Sequence, residues 1–188
     1  MHQDLWNIVE DCPVIAAIKD QEGLQKALES DSRIIFVLYG DVCSIVGIVE
    51  KIKSYGRIAI VHIDLVAGLD SKEVSVDYIR KNTMADGIIS TRSAIIRRAK
   101  ELGLYTILRI FAIDSLAFEN IERQQRQVKP DFIEILPGVM PKIIKKICDS
   151  NEIPIIVGGM ISDKEDVMAA LAAGAVSISS SNFDVWFL

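Results

Sequence analysis

Eight times along this chain a short run of apolar and β-branched residues gives way to ten or more residues with helical spacing, with turn residues between. The spacing predicts strands at Val14–Ile18, Ile34–Leu38, Ile58–Asp64, Gly87–Ser90, Thr106–Phe111, Phe132–Leu136, Ile155–Val157 and Ala175–Ser179. Strands that are apolar nearly throughout are buried on both faces, the condition of a parallel sheet covered by helices. Such repeats either close into a barrel or spread into an open doubly wound sheet. Eight regular units without a glycine-rich first turn favour closure, so the expected fold is α/β, a compact TIM-type (β/α)8 barrel formed as one domain over residues 1–188. A chain of 188 residues lies below the usual barrel length of about 200 and up, which implies short loops. Only Asn182–Leu188 follows the eighth strand, enough for a truncated last helix.

Punctuation agrees with this pattern. Gly56, Gly103 and Gly174 each close a helical stretch just before a strand, where a left-handed C-cap residue belongs. Ser93 is placed to open one helix, and Ser162-Asp163-Lys164-Glu165 has capping-box spacing.

Composition narrows the class further. Half the residues are hydrophobic and a quarter charged, as in a globular protein. No basic-then-apolar leader opens the sequence and no apolar run reaches the ~18 residues of a membrane helix, so a cytoplasmic protein is expected, away from membranes. Three distant cysteines (Cys12, Cys43, Cys148) and two histidines form neither a disulfide framework nor a metal-ligand set; no metal and no cofactor are expected. The net charge of −5 argues against a general nucleic-acid binder, yet Arg92–Lys146 holds 11 basic and 6 acidic residues. Arg97, Arg98 and Lys100 fall on one helix, Arg123, Arg126 and Lys129 on the next, and Lys142, Lys145 and Lys146 on a third. Neighbouring helices carrying such residues make a band able to follow a phosphodiester backbone, although a solvated outer layer has the same composition.

Two groups of residues point to a ligand. Strand seven runs into Gly158-Gly159 and strand eight into Ser179-Ser180-Ser181-Asn182. In barrels these two strand ends commonly build a phosphate site, where glycines admit the anion to backbone N–H groups and hydroxyls donate. The phosphate-binding candidates are therefore Gly158, Gly159, Ser180, Ser181 and Asn182. The second group consists of charged residues at the trailing ends of apolar strands: Lys19, His62, Asp64, Arg92, Arg109 and Glu134. Charge beneath the helices would cost several kcal/mol unpaired, so these residues are expected around the barrel mouth as a polyol and charge pocket. His62 is expected to share a face with Asp64, two residues on in one strand.

At these residues the sequence resembles the glycerol-3-phosphate-responsive antiterminator family. The resemblance runs nearly end to end, through Pro13–Lys19, His62-Ile63-Asp64-Leu65 with Gly68-Leu69, Gly87–Arg92, Lys129–Gly138 with Pro141, Ile153-Pro154 with Gly158-Gly159, Ala173–Val176, and Ser181-Asn182 with Trp186. It implies the barrel, glycerol 3-phosphate as effector, no catalytic residues, and action on the leader mRNA of a glycerol-uptake operon to carry transcription past a terminator. Arg97, Arg98, Arg123, Arg126, Lys142, Lys145 and Lys146 are then the RNA-contact candidates. A homo-oligomer would double the band, and Val185-Trp186-Phe187-Leu188 either packs under the barrel rim or forms such an interface. The alternative is a phosphosugar isomerase or aldolase with Glu134 as base or Lys19 as Schiff-base nucleophile.

Overall fold

The computed structural model describes residues 2–114, 121 and 127–188. Eight parallel strands close into a barrel in sequence order, with β8 pairing back onto β1. They are β1 Val14–Ile18, β2 Ile34–Val37, β3 Ile58–His62, β4 Gly87–Ser90, β5 Tyr105–Phe111, β6 Phe132–Leu136, β7 Ile155–Gly158 and β8 Ser177–Ser180. The helices include α1 His2–Asp11, α2 Gln21–Glu29, α3 Ile45–Ser54, α4 Glu73–Asn82, α5 Ser93–Glu101, α6 Pro141–Ser150 and α7 Lys164–Ala172.

Alternation along each strand sorts the apolar residues into two layers. Ile15, Ala17, Ile34, Phe36, Ile60, Ile89, Ile107, Phe132 and Ile156 fill the barrel interior. Their alternates, such as Ile35, Val61, Ile88, Leu108, Ile133 and Val157, pack against the surrounding helices. The strand pattern did not anticipate α1, which precedes β1. Its Leu5 and Val9 are buried among the interior residues and Trp6 stacks on Phe132 with ring centroids 6.2 Å apart, so α1 closes the N-terminal end. An aspartate just ahead of a strand stitches that end twice: Asp86 accepts from the Ala59 N–H at 2.8 Å, and Asp131 from the Thr106 N–H at 2.8 Å.

Several expected boundaries move. β3 stops at His62, and Ile63–Leu65 turns as a 3₁₀ helix. Asp64 is therefore off the strand, and the expectation that His62 and Asp64 share one strand face is corrected. β8 begins at Ser177 rather than Ala175, because Ala175 still donates its N–H to Ala170 at the end of α7. The glycine stops do hold, with Gly56, Gly103 and Gly174 at φ of +70°, +72° and +102°. Arg92, not Ser93, caps α5. The capping box shifts by one residue: Asp163 is the N-cap of α7 and accepts from the Asp166 N–H, while Asp166 accepts from Ser162. Aspartate suits both positions because its short carboxylate reaches unpaired N–H groups in the first turn.

The last helix is reduced to a five-residue 3₁₀ segment, Phe183–Phe187. Val185 and Trp186 are buried against the barrel, and the Trp186 indole N–H donates to the Ser180 carbonyl at 2.7 Å. Phe187 and Leu188 stay exposed, so packing against the barrel accounts for the first half of the tail only. Among the described residues no helix is long and apolar enough to cross a membrane, and no group of three or more His, Cys, Asp or Glu is placed to hold a metal ion.

Candidate functional site

Inward-facing positions are apolar near α1 and become polar toward the C-terminal mouth. Two residues beyond the buried Ile107, β5 turns Arg109 inward; β6 places Glu134 directly opposite it in the pairing register. Glu134 is fully buried and Arg109 only 7% exposed. The Arg109 Nε–H donates to Glu134 Oε2 at 2.6 Å, and the Ser179 hydroxyl on β8 donates to Oε1, also at 2.6 Å. Each carboxylate oxygen thus has a donor, which is how a charge survives out of water.

His62 occupies the corresponding height on β3 and is 3% exposed. Burial, and then the positive charge of Arg109, push its pKa down from 6.5 to about 4, against a weaker pull from Asp64. The imidazole is therefore neutral at physiological pH. Between pH 6.5 and 4 the unfolded chain holds a proton here that the folded chain refuses, so stability falls as pH drops through that window. The loss amounts to as much as about 3 kcal/mol. In His62→Phe this part of the pH dependence should vanish, as urea midpoints measured from pH 7 to pH 4 would reveal; an unchanged profile would mean that His62 is not the group responsible.

Above this layer lies a cavity of about 230 Å³. Arg109, Glu134 and Ser179 form part of its floor, Ala17 and Leu38 one wall, and segments 159–162 and 179–182 the side next to β7 and β8. Gly158 lies beneath it: a Cβ there would sit 2.3 Å from Ser179 Oγ and 2.9 Å from Glu134 Oε1. Gly159 and Met160 both take positive φ, +77° and +64°, turning the chain sharply over the opening. The Ser180 hydroxyl donates to the Ile161 carbonyl at 2.7 Å, and the Asn182 amide donates to the Ser162 carbonyl at 2.9 Å. Asn182 Oδ1 also accepts from the Asp184 N–H. These two side chains bind the seventh and eighth loops together, and Ser181 is left half-buried on the cavity wall.

The six charged candidates separate into an inner and an outer set. Arg109 and Glu134 pair inside, and the buried His62 feels the charge of Arg109. Asp64 and Arg92 pair with each other on the rim at 3.0 Å, and Asp64 also accepts from the Ser90 hydroxyl and the Thr91 N–H. Lys19 is exposed just past β1. Ser179 was missing from the expected site although parity reveals it, since it shares the inner face of β8 with Ser177. Met160, Ile161 and Ser162 carried no such signal.

On the outer surface Arg97 and Lys142 are exposed. Arg98 is bound at 2.6 Å by Asp77 and at 2.9 Å by Glu101, which raise its pKa further. Lys145 pairs with Asp149 at 3.1 Å, and Lys100 donates to the Lys129 carbonyl. Lys146 is likewise exposed. Arg123 and Arg126 lie outside the described residues. The basic band is thus interleaved with acidic partners.

Known proteins share this architecture and much of this sequence. The chain is 44% identical over 184 residues to the uncharacterized protein YgcP of Escherichia coli (strain K12), covering 98% of this chain and 96% of that one. A crystal structure of the glycerol uptake operon antiterminator regulatory protein from Listeria monocytogenes str. 4b F2365 superposes with a TM-score of 0.88 at 34% identity, over 92% of this chain and 94% of that chain. At 14% identity, the deoxyribose phosphate aldolase of Aeropyrum pernix matches 96% of this chain and 90% of its own with a TM-score of 0.72, a likeness of fold alone. The sequence pattern of the glycerol-3-phosphate responsive antiterminators matches residues 14–186. On that match, and on the barrel it shares with the Listeria protein, this chain belongs to the glycerol-3-phosphate responsive antiterminator family.

Proposed function

We propose that this protein is a cytoplasmic regulator that binds glycerol 3-phosphate in the barrel mouth and, in response, acts on the leader mRNA of a glycerol-uptake operon. The observation that carries the ligand half is the buried Arg109–Glu134–Ser179 cluster beneath a cavity walled by segments 159–162 and 179–182. The phosphate is received at the sharp turn of Gly159 and Met160 and by Ser181, while Ser180 and Asn182 hold the two loops in position. The polyol end points down toward Arg109. Ligand and RNA are coupled to the extent that glycerol 3-phosphate binds the RNA-competent state more tightly than the other. Arg97, Lys142, Lys145 and Lys146 are among the exposed cations through which α5 and α6 would meet RNA. Glu134 does not favour an enzyme, because both of its oxygens already accept hydrogen bonds.

Thermal unfolding with and without ligand tests this reading. A ligand that binds only the folded state, present at 100 times its Kd, adds about 2.7 kcal/mol, or roughly 5–10 °C for a chain of this size. Glycerol 3-phosphate should produce that shift and glycerol should not. RNA binding measured in parallel should then tighten when glycerol 3-phosphate is added. No shift with any phosphate ester would remove the ligand, and a shift without a change in RNA affinity would remove the coupling.

A further inference from the structure

Among the described residues, His62 is an inner-facing polar group at the mouth that the ligand reading leaves unused. It follows the interior residue Ile60 by two positions, and the β2–β3 register, carried one residue past its last pair Val37–Val61, brings it beside Leu38, which lines the cavity. Arg109, whose charge it feels, lines the cavity's floor. The residue is 3% exposed, and its Nδ1 is buried without a hydrogen-bond partner. A buried polar atom left unpaired is a standing cost to the fold. The fold has placed that cost on the far side of the barrel from β7 and β8, where a ligand with its phosphate at loops seven and eight would end.

We propose that His62 is a specificity-determining residue, whose Nδ1 is completed by the terminal hydroxyl of a phosphorylated polyol. The inference rests on the ligand reading above and deepens it by naming which part of the ligand is selected. A hydroxyl both donates and accepts, so it satisfies Nδ1 in either neutral tautomer. A methyl group in its place would leave Nδ1 buried and unpaired. Sites built to hydrogen-bond a ligand hydroxyl reject the analogue lacking it far more strongly than apolar pockets reject a size change. A carboxylate in that place fits poorly as well: the single positive charge on the floor, Arg109, is already matched by Glu134. The selected class is therefore phosphate monoesters of short polyols with an uncharged hydroxyl at the end remote from phosphate.

A cycle between side chain and ligand tests this. Glycerol 3-phosphate and propane-1,2-diol 1-phosphate share the phosphate and the middle hydroxyl and differ in the terminal one. Calorimetric titration of the wild-type protein should show a preference for glycerol 3-phosphate of about tenfold or more. In His62→Phe the preference should fall to about threefold or less, through weaker glycerol 3-phosphate binding and nearly unchanged binding of the deoxy analogue. His62→Gln, which returns a polar group, should restore part of it, and melting curves without ligand establish that both variants are folded. A preference that survives His62→Phe overturns the role of His62 while leaving the ligand reading intact. Equal binding of both esters by the wild type overturns it too, since the terminal hydroxyl is then not read. If neither ester binds the wild type, the ligand reading itself fails and this inference falls with it.

Discussion

Replacing Arg109 with methionine should destabilise the protein by about 3–5 kcal/mol, the usual cost of removing one partner from a buried ion pair. For a chain of this length that is a Tm lower by roughly 6–20 °C. The reason lies in what remains. Glu134 is fully buried, and without the guanidinium its charge would be held by the Ser179 hydroxyl alone. The companion variant Arg109→Met with Glu134→Leu should recover most of the loss, because an apolar pair of similar volume has no charge to desolvate. The pH dependence adds a second signature. The deficit of the single variant should be smaller at pH 5 than at pH 7, because removing Arg109 removes a repulsion that opposes protonation of His62 and so makes the fall in stability toward acid shallower. Urea unfolding of the four members of this cycle at both pH values would measure all of this. A single-variant deficit under about 1 kcal/mol at pH 7 would mean that water reaches Glu134 and that the pair does not organise the mouth.

The barrel was legible because its signals are local and repeated. Apolar runs of four or five residues, each followed by helical spacing and three of them by a glycine-stopped helix, leave few topologies open, and all eight strands lie where the pattern put them to within two residues. The errors fall where side chains outcompete pattern. The turn at Ile63–Leu65 draws Asp64 onto Ser90, Thr91 and Arg92, so a carboxylate expected to face the cavity instead ties β3 to β4. Parity brought Arg109 and Glu134 inward but could not show that they bond each other, because that depends on the β5–β6 register. Ser180 and Asn182 have the composition of an anion site, and their side chains are spent holding the seventh and eighth loops together. The same holds for α5 and α6, where Asp77, Glu101 and Asp149 answer part of the basic pattern and only the folded chain brings Asp77 to Arg98.

Gly158→Ala should cost about 3 kcal/mol or more, although it adds a single methyl group. Its φ is not in the left-handed region, so the cost is not backbone strain. It arises from contact: the new Cβ would lie 2.3 Å from Ser179 Oγ and 2.9 Å from Glu134 Oε1. Ser179 would have to give up its hydrogen bond to Glu134, leaving one oxygen of a buried carboxylate without its donor. Gly56→Ala isolates the alternative. That glycine has φ +70° and open space around it, so its substitution should cost only the ~1–2 kcal/mol of a left-handed alanine. Ser179→Ala alone should cost about 1–3 kcal/mol for the lost donor. In the double variant Gly158→Ala with Ser179→Ala the collision with Oγ is gone, so the combined loss should be smaller than the sum of the two. Chemical denaturation of the three variants would decide it. Strict additivity would show that Gly158 and Ser179 do not act on each other, whereas a shortfall of about 1 kcal/mol or more would place the origin of this glycine in the hydroxyl and carboxylate it makes room for.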